Sequence, residues 1–451
     1  MTQLSEWVER QSGRFLDELK AFINFPTVSA EGRALEETSD FLLDKLRSLG
    51  FRAEKLRVEG APPLVFAERR GRGNLTLVFY NHYDVQPVDP LNEWVSGPFS
   101  GEVRDGKMFG RGVADDKGDL YARINAVEAL LETVGELPLT VKFVVEGEEE
   151  VGSPHLHEYI ERYGERMRGD ICFWEGSDLT LDGRPQFYLG VKGLLYVELR
   201  IETAERDQHS MYAPLVPNPA WRMVWLLNRL KDPSGRILIP GFYDDVIPPT
   251  EAELAAVRRN EFKRELVREA LAVRELLPTR DDFEAASNLL FNPTCNIAGF
   301  ASGYGGPGAK TVLPREARLK MDFRLVPRQD PHKILQLLKR YLEELGYGDV
   351  QLQVFAAEKP AKTSMETPHL KPLLEVAEAT YGARPLLWPT MYGTGPMALF
   401  INELGLPSVM PPGVAYTGSA YHAPNEHIHL SHYLKGVEFV ARSMLRLGGK
   451  V

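Results

Sequence analysis

Apolar residues recur at i, i+3, i+4 spacing over residues 2–24 and 32–49, with Glu, Asp, Lys and Arg between them, and this predicts two amphipathic helices at the start of the chain. The texture then shortens into β-branched and aromatic runs at 63–68 (PLVFAE) and 75–80 (LTLVFY), the second running directly into Asn81-His82-Tyr83-Asp84. A helical pattern from Asp116 to Leu131 leads to the apolar strand LTVKFVVEG at 139–147, which ends in Glu148-Glu149-Glu150, and a third run, DICFW at 170–174, ends in Glu175. Strand, helix, strand alternation is the signature of an α/β fold, and open α/β sheets place their sites outside the carboxyl ends of the strands. Three successive strands here deliver acidic or imidazole side chains to that edge.

From about Gly193 the pattern changes to a long alternating strand, LLYVELRIET, and a helix at 219–231. A polar helical insertion at 250–290 follows, then two strands flanking a helix at 330–345. This predicts a separate α+β domain with an antiparallel sheet, spanning 192–358 and inserted into a discontinuous α/β domain of residues 1–191 and 359–451. In the second segment of that domain, helices are expected near 369–381 and 396–404, with a strand at 407–410 and a terminal helix. The 451-residue length suits two domains better than one core.

Composition removes several function classes. A net charge of −10 with 43% apolar residues argues for an ordinary globular enzyme and against a nucleic-acid binder or a protein of anionic membrane surfaces. Two cysteines, Cys172 and Cys295, both in apolar segments, are too few for a disulfide framework or a cysteine zinc site. The N-terminal stretch lacks the apolar core of a signal peptide, and no apolar run reaches membrane-spanning length, so a cytoplasmic protein is expected.

The strand ends carry the candidate chemistry. His82 can offer an imidazole nitrogen to a metal while Asp84, two residues on, supports it by a hydrogen bond. In GRGVADDKG (110–118), either Asp115 or Asp116 could cap the helix that follows; a carboxylate bridging two cations would be Asp115, because the flanking glycines allow close backbone approach. Adjacent Glu149 and Glu150 can divide roles, one ligating and the other holding and deprotonating a water. Glu175 and the loop Tyr421–Glu426, with His422, complete a set of two histidines and three carboxylates suited to Zn²⁺ or Mn²⁺. The remaining histidines, His155, His157, His332, His369, His427, His429 and His432, are expected to be structural or exposed, with His427 the nearest rival to His422.

These residues sit in blocks that resemble the M20 metallopeptidases, above all the carnosinase-like and cytosolic dipeptidase branch. NHYDVQP (81–87), GRGVADDKG (110–118), EGEEEVGS (146–153), DQHS (207–210), GAKTVLP (308–314), DFRLVP (322–327) and AYHAPNE (420–426) occur in the family's order along nearly the whole chain. The resemblance implies a catalytic domain of three layers around a mixed, mostly parallel sheet, and an inserted lid or dimerisation domain. It implies two divalent cations per subunit, zinc first with manganese or cobalt as alternatives: His82 and Glu175 on one, Glu150 and His422 on the other, Asp115 bridging. Glu149 becomes the general base and Asp84 the residue that orients His82. His209 and Arg324 resemble substrate-holding residues, His209 reaching the active site of a second subunit in a homodimer, and Thr311 and Thr394 are further substrate-contact candidates.

Two departures stand out. Where many dipeptidase relatives place an Asp ligand, this chain reads Trp174-Glu175-Gly176-Ser177-Asp178, which sets Glu175 against Asp178. Near 388–397 it reads WPTMYGTGPM, so Thr394 is a substitute for the family's usual substrate contact. The activity expected is hydrolysis of small peptides with a free carboxylate, as a dipeptidase or carboxypeptidase-like exopeptidase. The rivals are an N-acyl-amino-acid amidohydrolase and a relative that binds metal or peptide without catalysis.

Overall fold

The computed structural model describes residues 2–449; residues 1, 450 and 451 of the expected first domain lie outside them. A six-stranded sheet forms the larger body, in the spatial order Arg52–Leu56, Leu64–Arg69, Thr140–Glu146, Thr76–His82, Ile171–Phe173, Ser408–Val409. The first two strands are antiparallel to their neighbours and the last four run parallel, making a mixed, mostly parallel sheet.

Period-two alternation explains its two covered faces. Leu77 and Phe79 of the central strand enter one apolar core with the helices Lys117–Val134 and Leu430–Leu447, while Val78 and Tyr80 enter another with the helix Leu156–Met167. Three layers result. The helix Lys117–Val134 is buried on nearly all sides, between the sheet and the outer helices, and stops at Gly135 in the left-handed conformation, φ +82°. Its polar residues Asp119, Arg123 and Asn125 are therefore interior groups that need partners.

The second body is a four-stranded antiparallel sheet ordered Thr294–Ser302, Glu316–Leu325, Gly193–Glu202, Gln351–Glu358. Leu195, Val197, Leu199 and Ile201 alternate inward and meet the helices Pro219–Leu230 and Pro331–Glu344 in a separate core. The polar insertion folds into the helices Glu251–Arg259, Arg264–Ala270 and Asp282–Phe291. Their small core takes in Trp388, so the insertion leans toward the first body, where Asn260 also bonds the backbone of Leu387.

Two expected helices differ. The first breaks at Gln11 into Thr2–Arg10 and Ser12–Ile23, beside the weak helix formers Ser12 and Gly13. The one expected over 396–404 is a wide π-type turn, Leu399–Glu403, entered from Gly395-Pro396 and left at Gly405 with φ +64°.

Candidate active site

The strand Thr76–His82 ends on a fully buried imidazole. His82 Nδ1 lies 3.1 Å from the Asp84 carbonyl and 3.4 Å from its carboxylate, and Nε2 lies 3.0 Å from Asp115 Oδ1. Asp84 does more than face His82: its two carboxylate oxygens accept the backbone N–H groups of Glu149 (3.2 Å) and Glu150 (3.1 Å).

Asp115 is presented by a loop folded around one buried carboxylate. Glu426 accepts hydrogen bonds from the amides of Gly112 (3.0 Å), Ala114 (2.8 Å) and Asp115 (3.2 Å), and pairs with the buried Arg111 at 2.7 Å. Gly112 is required here: its φ is +87°, and a Cβ would come within 2.5 Å of Val85. The peptide bond joining Asp115 to Asp116 is cis. Asp116 occupies the position before the helix Lys117–Val134, but its side chain caps nothing. Its carboxylate instead accepts from Asn81 Nδ2 (2.6 Å) and the His82 amide (3.1 Å), which corrects the expectation of a capping role.

Of the three consecutive glutamates, Glu148 turns away to the His155 amide and ring. Glu150 Oε2 accepts from Gln86 Nε2 (2.9 Å) and lies 3.2 Å from His422 Nε2. His422, on a loop with φ +54° at its own position, also reaches Asp115 Oδ2 at 3.2 Å. Suitable ligand atoms of His82, Asp115 and Glu150 all lie within 4.8 Å of one another, and His422 adjoins two of them. Its rival, His427, is engaged elsewhere, with the Tyr416 hydroxyl at 2.7 Å and Lys107.

This donor set fits cations. Glu150 Oε1 and Glu175 Oε1 are buried without a hydrogen-bond partner, an expensive arrangement for carboxylates unless a cation meets them. Asp178, by contrast, accepts a hydrogen bond from the Tyr421 hydroxyl. The electrostatics agree. Burial favours a neutral His82, yet the hydrogen bonds to Asp115 and Asp84 overcome it and raise the pKa well above its usual value. His422 is raised to about 10 by hydrogen bonds to Asp115 and Glu150. Burial alone would raise the Asp115 carboxyl, but hydrogen bonds from His422 and His82 outweigh it and hold the group below the usual range. Burial raises Glu149 to about 7, with His82 opposing and Asp115 and Glu150 adding to it. Burial and the charge of Glu149 carry Glu175 well above its normal value. A site that pulls positive charge onto its own imidazoles is built to receive it from elsewhere.

A cavity of about 270 Å³ opens beside Asp115 and Glu175, walled by Asp178, Tyr188, Met391, Tyr392, Met410 and Tyr421. A larger one, about 490 Å³, lies at the antiparallel sheet between Leu227, Lys231 and Cys295, away from the carboxylates.

The substrate-contact candidates divide into two pairs. Arg324 Nη1 donates to Thr394 Oγ1 at 2.6 Å, joining the second body to the loop beyond Trp388. His209 is exposed, its Nδ1 accepting from the Met211 amide, and Thr311 sits beside it through the Ser210 amide. Among the described residues, neither member of that second pair hydrogen-bonds to the acidic cluster.

Several supporting residues escaped the sequence reading. Arg123 donates to the carbonyls of Tyr80 (2.7 Å), Phe173 (3.2 Å) and Trp174 and to Asn81 Oδ1 (2.8 Å), tying together two strand ends that carry candidate ligands. Its signal was an arginine between the apolar helix positions Leu120 and Val127. Gln86 and Arg111 lay inside quoted blocks but acquire their roles only through contacts distant in sequence.

A family model described as Peptidase family M20/M25/M40 matches residues 78–446. The Beta-Ala-His dipeptidase of Rattus norvegicus is 27% identical, over 99% of this chain and 95% of its own. The Cys-Gly metallodipeptidase dug1 of Schizosaccharomyces pombe is 26% identical, over 97% and 96%. Among solved structures, the M20 family metallo-carboxypeptidase Sso-CP2 from Sulfolobus solfataricus is 40% identical with a TM-score of 0.90, covering 97% of this chain and 99% of that one. With its strand-end histidine, glycine-flanked aspartate and paired glutamates in one acidic cluster, the chain belongs to peptidase family M20/M25/M40, on the branch that holds the carnosinase-type and Cys-Gly metallodipeptidases.

Proposed function

We propose that the protein is a two-metal exopeptidase that hydrolyses short peptides with a free carboxylate, dipeptides foremost. One observation carries the proposal: His82, Asp115, Glu150 and His422 converge beside a half-buried Glu149, with carboxylate oxygens of Glu150 and Glu175 left unpartnered. His82 and Glu175 would hold one cation, Glu150 and His422 the other, and Asp115 both. Glu175 is preferred to Asp178 because the Tyr421 hydroxyl engages Asp178. Zinc suits this nitrogen and oxygen set best, with manganese and cobalt as alternatives. When bound, the cations supply Lewis-acid polarisation of the scissile carbonyl and lower the pKa of water from about 15.7 toward about 7.

The chain's own groups do the rest. Glu149 takes the proton of the attacking water at its carboxylate and returns it to the leaving amine. Asp84 fixes Glu149 through its backbone N–H and at the same time holds His82. Arg324, with Thr394 at its side, clamps the substrate carboxylate. His209, exposed and without a hydrogen bond to this cluster among the described residues, polarises the scissile carbonyl of a partner subunit's substrate; Thr311 positions that strand pair. A homodimer through residues 192–358, with 1–191 and 359–451 as the catalytic unit, is supported by the exposed Met211, Leu215, Trp221 and Trp225 near His209 in sequence. Two unpaired, buried cysteines suit a cytoplasmic setting.

The test combines metal content with cleavage on one preparation. Two metals per chain and turnover of β-Ala-His, Cys-Gly or other dipeptides are expected; full activity with fewer than two metals per chain would contradict the two-metal reading.

A further inference from the structure

The cavity beside Asp115 and Glu175 has a wall that the hydrolytic step leaves unused. Tyr188, Tyr392 and Tyr421 line it together with Met391, Met410 and Asp178. Lysine, arginine and histidine are missing from its lining residues. The other carboxylates there already have work: Asp115 and Glu175 belong to the metal set, Asp116 is held by Asn81 and the His82 amide, and Asp119 accepts the Val414 amide at 2.8 Å. The side chain of Asp178 has a single neutral donor, the Tyr421 hydroxyl. A half-buried carboxylate in an aromatic wall, with no basic side chain among the lining residues, is complementary to a cationic ligand group.

We propose that Asp178 anchors the free α-ammonium group of the residue on the N-terminal side of the scissile bond. The enzyme is thereby selective for unblocked dipeptides over N-acyl amino acids. This inference rests on the exopeptidase reading above and names its substrate class. An ammonium in the cavity donates a charge-assisted hydrogen bond to Asp178 and meets the faces of the tyrosine rings. A neutral acyl group gains neither and leaves Asp178 desolvated without a counter-charge, the kind of mismatch on which strong discrimination is built. The opposite end of the substrate is set by the same stretch of chain. Thr394 meets Arg324, while Met391 and Tyr392, a few residues earlier, form the wall beside Asp178. On this reading a ligand with a carboxylate at one end and an ammonium at the other engages both anchors.

The experiment compares Ala-Phe with N-propionyl-Phe, which has the same skeleton without the amine, in the metal-loaded wild type and in Asp178→Asn. Wild type is expected to favour Ala-Phe in kcat/KM by about 10- to 100-fold, the range of one hydrogen bond to a charged group. In Asp178→Asn that preference collapses through loss on Ala-Phe, with N-propionyl-Phe turnover and two bound metals retained. Equal wild-type rates on the two substrates would overturn the anchor alone, and this arm needs no variant to fold. A variant that loses both activities in proportion, or that loses a metal, would also overturn it, giving Asp178 a structural or ligand role. Turnover of neither substrate by wild type overturns the exopeptidase reading and the anchor with it.

Discussion

The two sheets treat charge in opposite ways. In the antiparallel sheet, charged side chains such as Arg318 and Lys320 alternate outward into water while Leu319 and Met321 turn inward, so the core stays apolar. At the carboxyl edge of the six-stranded sheet, His82, Asp84, Asp116, Arg123 and Glu426 are all buried, and each is held by a backbone amide or carbonyl or by a neighbouring side chain. The fold concentrates the cost of burying charge at one rim, where chemistry needs fixed, desolvated groups. The antiparallel sheet instead keeps its charged side chains exposed or half-buried.

Removal of a buried rim charge should have the largest effect. Glu426→Ala leaves Arg111 buried and unpaired and frees three amides; unfolding in urea should register a loss of about 3–5 kcal/mol. A change typical of surface residues, below about 0.5 kcal/mol, would show the rim to be no different from the outer face of the antiparallel sheet. Next in size is Glu149→Gln, expected to lower kcat by at least about a hundredfold while both metals stay bound. Near-normal turnover would remove Glu149 from proton transfer. For the second sheet, Trp225→Ala should weaken self-association by about 2 kcal/mol, read by sedimentation, and leave thermal stability nearly unchanged. A monomeric wild type that retains full activity would contradict the role given to His209.

The smallest effect tests the junction between the bodies. Lys192 is buried, its Nζ donates to the Asn292 carbonyl at 2.7 Å, and burial, then the charge of Arg324, lowers its pKa to about 8. The folded state therefore binds fewer protons than the unfolded chain between about pH 8 and pH 10.5, so stability attributable to Lys192 rises with pH across that window. The gain should be on the order of 1 kcal/mol, and Lys192→Met should abolish it in denaturation curves at pH 8 and pH 10. An identical slope in the variant would show that Lys192 is not desolvated at the junction.

Legibility followed locality. The strand over 75–80, the helix from 116 and the alternating strand after Gly193 were readable because each periodicity is set by neighbours in the chain. His82, Asp115, Glu150 and His422 were readable as types at strand and loop ends, and the structure brings them together. What holds them was not readable. Glu426 lies more than three hundred residues from Arg111, and Arg123 bonds strand ends on both sides of it, so no local spacing encodes either contact. Asp116, one of two candidates for the helix cap, takes another role for the same reason: its partners, Asn81 and His82, belong to a strand laid alongside by tertiary packing. The π-type turn at Leu399–Glu403 likewise reflects chain geometry that periodicity does not encode.

Asp84 has a consequence for precision. Its carbonyl meets the ring of His82 and its carboxylate spans the amides of Glu149 and Glu150, so one residue references the proposed proton acceptor and two candidate ligands to a common origin. Thermal displacement of the sheet edge then moves these groups together, a common-mode error that cancels in their mutual distances. The separation between the proposed proton acceptor and the candidate ligands is thereby insulated from the breathing of the fold, without requiring the whole sheet to be rigid.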